Sequence, residues 1–237
     1  PSKPSEARIK GDGRKAKSKK VKKVVSPETL ATYNGKLKVA SARVLMKLLY
    51  CARMCRFDLL RPVCALAALV TKWTPECDER LMKLMQYVKT TAGKELVGYV
   101  GDDAKSLTPN LFADADLGGC GQTTRSTSGS YLCLLGNNSF FPIAAQSRKQ
   151  GCVSTSTPEA EIVALFHALR NYGMPAFDML DKIIGPDTIL HVHEDNTACL
   201  TVCKTGRNPT MRHLQRVHRV SIAWLHERYH NDRINFK

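Results

Sequence analysis

With 237 residues, 43% of them hydrophobic, the chain can bury the core of one ordinary domain and a smaller one. Its formal charge of +15 points to a polyanionic partner, while no uninterrupted apolar run is long enough to span a bilayer and no signal-peptide layout opens the chain, so nucleic acid is favoured over a membrane. The nine cysteines are odd in number and lack CxxC or zinc-knuckle spacing, which fits small buried hydrophobes in a reducing intracellular compartment, cytoplasmic or nuclear.

The first forty residues read as a separate basic tail. Within residues 1–23, Lys3, Arg8, Lys10, Arg14, Lys15, Lys17, Lys19, Lys20, Lys22 and Lys23 face only Glu6 and Asp12, which places more than half of the net charge there. Without apolar periodicity such a segment cannot repay its ordering entropy, and disorder is expected. It serves as a linker, a nucleic-acid attachment or a nuclear-import signal.

Residues 41–105 read as a helical segment. Val44, Leu45, Leu48 and Leu49 recur at helical spacing, and an apolar stretch from Leu59 to Val70 follows. Thr74-Pro75-Glu76 opens a third helix with a capping Thr, Pro at the first position and an acid near the positive end, and Leu81, Leu84, Met85 and Val88 supply its buried stripe.

Residues 106–237 read as an α/β domain. Strand signals begin ahead of that boundary with Leu96 to Val100 and continue with Leu111 to Leu117, and a hairpin runs from Tyr131–Leu135 through Gly136-Asn137-Asn138 into Phe140–Ala145. A helix starts with Thr157 as N-cap and Pro158 at its first position, burying Ile162, Leu165, Phe166 and Leu169. Ile189 to Asp195 returns to strand, Thr197 to Lys204 forms a short helix ended by Gly206, and Met211 to His230 forms a longer one. A further strand starts at Ile234.

Acidic residues stand at the edges of three of these elements: Asp114 and Asp116, Glu159 and Glu161, and Glu194 and Asp195, the last two followed by Asn196. Carboxylates gathered from separate elements are how a protein holds Mg²⁺ or Mn²⁺ for phosphodiester cleavage, because hard cations take oxygen ligands. Residues two apart on a strand share a face, so either Asp114 or Asp116 can be the ligand. On a helix Glu159 and Glu161 lie about 200° apart, so only one can face a given ion.

The order of motifs adds a family signal. Phe112-Ala113-Asp114-Ala115-Asp116-Leu117-Gly118-Gly119 is followed by Arg125-Ser126-Thr127-Ser128-Gly129, Gln146-Ser147-Arg148-Lys149-Gln150, Ser156-Thr157-Pro158-Glu159-Ala160-Glu161 and Glu194-Asp195-Asn196. In order and spacing these blocks resemble the ribonuclease H domain of Copia-type (Ty1/copia) retrotransposon polyproteins. Leu48–Asp58 and Lys83–Thr91 resemble segments lying between the polymerase palm and ribonuclease H in that family. The palm, with its paired aspartates, is absent.

The resemblance implies a ribonuclease H-like mixed sheet with flanking helices, and two Mg²⁺ or Mn²⁺ ions hydrolysing the RNA strand of an RNA/DNA hybrid. It assigns Asp114, Glu161 and Asp195 as catalytic metal ligands, with Asp116 an uncertain neighbour. Arg125, Ser126, Arg148, Lys149, Asn196, Arg212, His213 and Arg216 are the implied nucleic-acid contacts, and the rest of a reverse transcriptase polyprotein is an implied partner. Gln215 stands where the family commonly has an acid. A further family carboxylate lies beyond the strand starting at Ile234, so weak activity is expected unless Asp116 or Glu159 substitutes for it. The alternative is a catalytically silent nucleic-acid-binding or assembly module.

Two rival metal motifs are expected to be accidental. His226-Glu227-Arg228-Tyr229-His230 satisfies HExxH, but in a strongly polar helix end. His191 and His193 share a strand face with Asp195, where packing or hydrogen bonding explains them. The i,i+4 pairs Cys51/Cys55 and Cys199/Cys203 carry no metal expectation.

Overall fold

The computed structural model describes residues 34–121 and 123–237. The predicted tail therefore falls outside the described residues up to position 33, and its expected end at residue 40 is too late, since helix begins at Lys38. Three helices follow: α1 (Lys38–Met54), α2 (Leu60–Ala67) and α3 (Pro75–Thr90). Leu45, Leu48, Val63, Leu66, Trp73, Leu81 and Leu84 close their shared core, whereas Met85 of the expected stripe is exposed.

Thr74 occupies the N-cap position of α3 but makes no side-chain cap bond. Asp78, one turn inside, instead accepts from the Lys36 and Leu37 amides and from the Trp73 indole. It thereby satisfies donors at the start of α1 that lack helical partners.

Six strands form one mixed sheet: β1 (Tyr99–Val100), β2 (Thr108–Asp116), β3 (Thr127–Gly136), β4 (Ser139–Lys149), β5 (Leu190–His193) and β6 (Ile234–Phe236), in the order β1-β4-β3-β2-β5-β6. The first four pair antiparallel, and β2, β5 and β6 run parallel. The expected hairpin forms between β3 and β4, and Asp102 pins its turn by accepting from the Asn138 amide and the Ser139 hydroxyl. Of the strand expected over 96–100, only Tyr99 and Val100 pair.

Parallel strands need crossovers. The first comprises α4 (Thr157–Ala168), a π turn (Leu169–Gly173) and α5 (Met174–Ile184), a helix the sequence reading did not anticipate. The second comprises α6 (Thr197–Thr205), α7 (Leu214–Val217) and α8 (Ile222–Tyr229). This is an α/β fold with a mixed sheet and flanking helices. Leu111, Leu132, Leu190 and Val192 of the sheet pack with Ile162, Leu165 and Leu169 from the first crossover.

Two local expectations are corrected. Ser156, one residue before Thr157, caps α4 by accepting from the Glu159 amide. The single helix expected over Met211–His230 is broken, because Arg219 takes a positive φ of 58° and Ser221 caps a new helix by accepting from the Trp224 amide. No helix among the described residues is long and apolar enough to cross a membrane.

Candidate metal centre

The parallel pairing of β2 with β5 sets Phe112 opposite His193. Asp114 stands two residues further along β2, and Asp195 stands two residues past the end of β5, which is shorter than the strand expected over 189–195. The two strand ends are braced below the acids: the Phe112 ring stacks on His193 at 4.3 Å, and His193 Nε2 meets Asn110 Oδ1 at 2.7 Å. His193 is thus a hydrogen-bonding and packing residue.

Helix α4 approaches β2 through small residues. Ala115, Ala160 and Ala164 form a buried cluster, which lets the helix backbone come close to the strand. Gln150 fixes that approach, donating to the Ala160 carbonyl and the Ser128 hydroxyl while accepting from Ser154.

The result is convergence of Asp114, Glu161 and Asp195, whose ligand oxygens all lie within 4.8 Å of one another. Metal–oxygen bonds of about 2.1 Å place opposite ligands of one Mg²⁺ about 4.2 Å apart, so the span suits a hard divalent cation. This is the one such group among the described residues. Asp114 and Asp195 are exposed and Glu161 is buried, with its Oε2 lacking a hydrogen-bond partner.

Glu194 is a fourth acid that the sequence reading passed over as a site residue. It is 4% exposed, its Oε1 accepts from the Asn196 amide at 3.1 Å, and its Oε2 also has no partner. The signal was present in the sequence: Leu190, Val192 and Glu194 continue one period-two face, so the face that buries the first two buries the third.

Burial is the main cause that pushes the Glu161 carboxyl up to about 7, helped by the charges of Asp114 and Asp195. Burial likewise drives Glu194 up to about 8, with the Asn196 amide opposing and Glu161, Asp195 and Asp114 adding to the rise. Two buried carboxylate oxygens without donors, inside a concentration of negative charge, are what a cation would satisfy. The donor set therefore fits a divalent metal.

Asp116 lies outside this group. Its two carboxylate oxygens are taken by the Thr127 amide and, at 2.8 Å, by Arg61 from α2. Glu159 is equally committed, to Thr155, His213 and His218, so neither joins the group.

The expected nucleic-acid contacts divide. Arg125, Arg148, Arg212 and Arg216 are exposed, and Lys149 is half-buried, donating to Cys120 Sγ at 2.8 Å. Ser126 is fully buried, its hydroxyl accepting from the Gly118 amide, so it shapes the loop rather than offering a surface. Asn196 caps α6 by accepting from the Cys199 amide at 2.9 Å. His213 has one ring nitrogen on Glu159.

The HExxH histidines serve the fold. His226 Nδ1 meets the Cys203 carbonyl at 3.0 Å and His230 Nε2 the Lys204 carbonyl at 3.1 Å, so both cover the C-terminal carbonyls of α6. Neither belongs to a metal-ligand group among the described residues.

No family model matches the chain. Among solved structures, ribonuclease H1 from the halophilic archaeon Halobacterium salinarum is similar at 15% identity and a TM-score of 0.37, covering 55% of this chain and 83% of that one. A ribonuclease H1 isolated from compost by metagenomics is similar at 16% identity and a TM-score of 0.30, covering 55% and 82%.

Proposed function

We propose that the chain is a metal-dependent endoribonuclease of the ribonuclease H type, cutting the RNA strand of RNA/DNA hybrids, and that it derives from a Copia-type retrotransposon polyprotein. The observation that carries this reading is the meeting of Asp114, Glu161 and Asp195 from a strand, a helix and the turn after a second strand. The order of the surrounding motifs gives it the retrotransposon assignment, and the remainder of a reverse transcriptase polyprotein is the proposed partner.

The residues divide the work. Asp114, exposed on β2, and Asp195, exposed just past the end of the neighbouring β5, would hold cations where a backbone phosphate can reach them. Glu161 would close the site from its buried side. Glu194 adds charge behind the group and holds the Asn196 amide, fixing the turn from β5 into α6. Asp114, Glu161 and Asp195 would hold divalent ions, which would supply activation of a water and stabilisation of the leaving 3′-oxygen. Arg125, Arg148, Arg212 and Arg216 are proposed to engage hybrid phosphates and set the register of the duplex.

A silent binding module has one observation in its favour. Glu161 and Glu194 both resist ionisation near neutral pH, which weakens metal affinity because ligand carboxylates must be charged. Cleavage of a labelled hybrid under Mg²⁺ and under Mn²⁺ separates the readings: products under either ion support the nuclease, and none under both supports the module.

A further inference from the structure

Glu159 anchors a constellation that the metal centre does not use. Its side chain is 1% exposed, and its carboxylate accepts from the Thr155 amide and hydroxyl and from Nε2 of both His213 and His218 at 3.0 Å. An acid in the first turn of a helix needs only water. Here it is enclosed instead, by donors that lie up to 59 residues away in the chain.

Both histidines belong to the segment joining α6 to α8. Between positions 207 and 219 it carries Arg207, Arg212, Arg216 and Arg219 and no acid, and all four arginines are exposed. Its only α-helix is the four-residue α7, too short to hold itself in place. Burial of Leu214 and Val220 anchors its backbone, Cys152 Sγ donates to the Val217 carbonyl at 3.2 Å, and Glu159 grips the two histidines.

Positive charge continues beyond the segment. The His167 pKa is lowered first by burial and then by Arg148, Arg170 and His218, so cations from β4 and the first crossover reach the same neighbourhood. A cationic surface built from three elements fits an extended polyanion better than a small one.

Given the hybrid-binding reading above, we infer that Glu159 is a positioning residue for nucleic-acid binding: it clamps His213 and His218, and through them sets Arg212, Arg216 and Arg219 against the first turn of the helix that bears Glu161. The two acids of Pro158-Glu159-Ala160-Glu161 thus have different tasks. Glu161 faces the metal centre, and Glu159 holds the protein's own cationic segment.

The test is equilibrium binding of a labelled RNA/DNA hybrid to the full chain in EDTA over a salt series. Four proteins are compared: the parent, Glu159→Gln, the double variant Arg212→Ala/Arg216→Ala, and the three changes combined. Gln keeps the size of the side chain but turns amide N–H groups toward a ring of donors. Glu159→Gln should bind about tenfold more weakly, with a salt slope shallower by about 2. Added to the double arginine variant it should cost far less than it does alone, because two of the three arginines it positions are already gone. The ¹⁵N signals of His213 and His218 should move, because the contact of each Nε2 with the carboxylate is changed.

Should Glu159→Gln fail to fold, His213→Phe carries the same binding expectation, since it removes one tie at a side chain 41% exposed. Parent-like affinity and slope in the folded variant, or a full additional loss on top of the arginine changes, overturns the clamp and leaves the metal centre standing. A parent that does not bind hybrid at all overturns the clamp together with the nucleic-acid reading.

Discussion

At the scale of single residues, Glu161 and Glu194 couple stability to pH. Both carboxyls have folded pKa values above their ordinary range, near 7 and 8. The stability they contribute is therefore fully present below about pH 4.5 and is lost as pH rises through those folded values. Metal-free protein should melt at falling temperature between pH 5 and 8. Mg²⁺ or Mn²⁺ binds the ionised form, so its stabilisation should be larger at pH 8 than at pH 6. Glu194→Gln keeps an oxygen to accept from the Asn196 amide while removing the charge, and should raise the melting temperature of metal-free protein at pH 8. An unchanged or lower melting temperature in that variant would show that the Glu194 charge carries no such penalty.

At the scale of elements, the end of α6 explains the HExxH match. Gly206 adopts a left-handed φ of 68°, and a Cβ there would stand 2.8 Å from His226 Cγ. Gly206→Ala should cost about 1–2 kcal/mol from backbone strain and crowding, read by urea unfolding. His226→Ala removes one bond to the Cys203 carbonyl and should cost about 1 kcal/mol. It should leave metal content and chelator resistance unchanged. Stoichiometric zinc that disappears with this substitution would make the motif a metal site after all. Elements whose cause is local were legible in the sequence: the β3–β4 hairpin, the apolar face of α4, and the αL stop at Gly206. The break at Arg219 was not, because a positive φ in a non-glycine residue is held by tertiary packing around Leu214 and Val220. The convergence of Asp114, Glu161 and Asp195 was legible through motif order, and the burial of Glu194 through strand alternation. The task of Glu159 was hidden because its partners lie 54 and 59 residues further along the chain.

At the scale of the whole molecule, the helical segment and the sheet make direct contact. Ala145 of β4 joins the helical core, Phe57 meets the edge of Tyr131 at 6.2 Å, and Arg61 pairs with Asp116. This pairing diverts Asp116 from the metal centre and links the two predicted units. Beyond the described residues, the basic run within 1–23 is expected to add phosphate contacts. Its deletion should weaken hybrid binding and flatten the salt dependence while leaving the melting temperature of the remainder unchanged. Unchanged binding would leave the run as a linker or targeting signal. The most direct test of the central claim is cleavage of a labelled RNA/DNA hybrid by the parent chain and by Asp195→Asn, under Mg²⁺ and Mn²⁺, with binding measured in parallel. Asn keeps the shape of the side chain and removes one charge from the three-carboxylate group, so cleavage should be lost while hybrid binding persists. Cleavage that survives Asp195→Asn would contradict the proposed site.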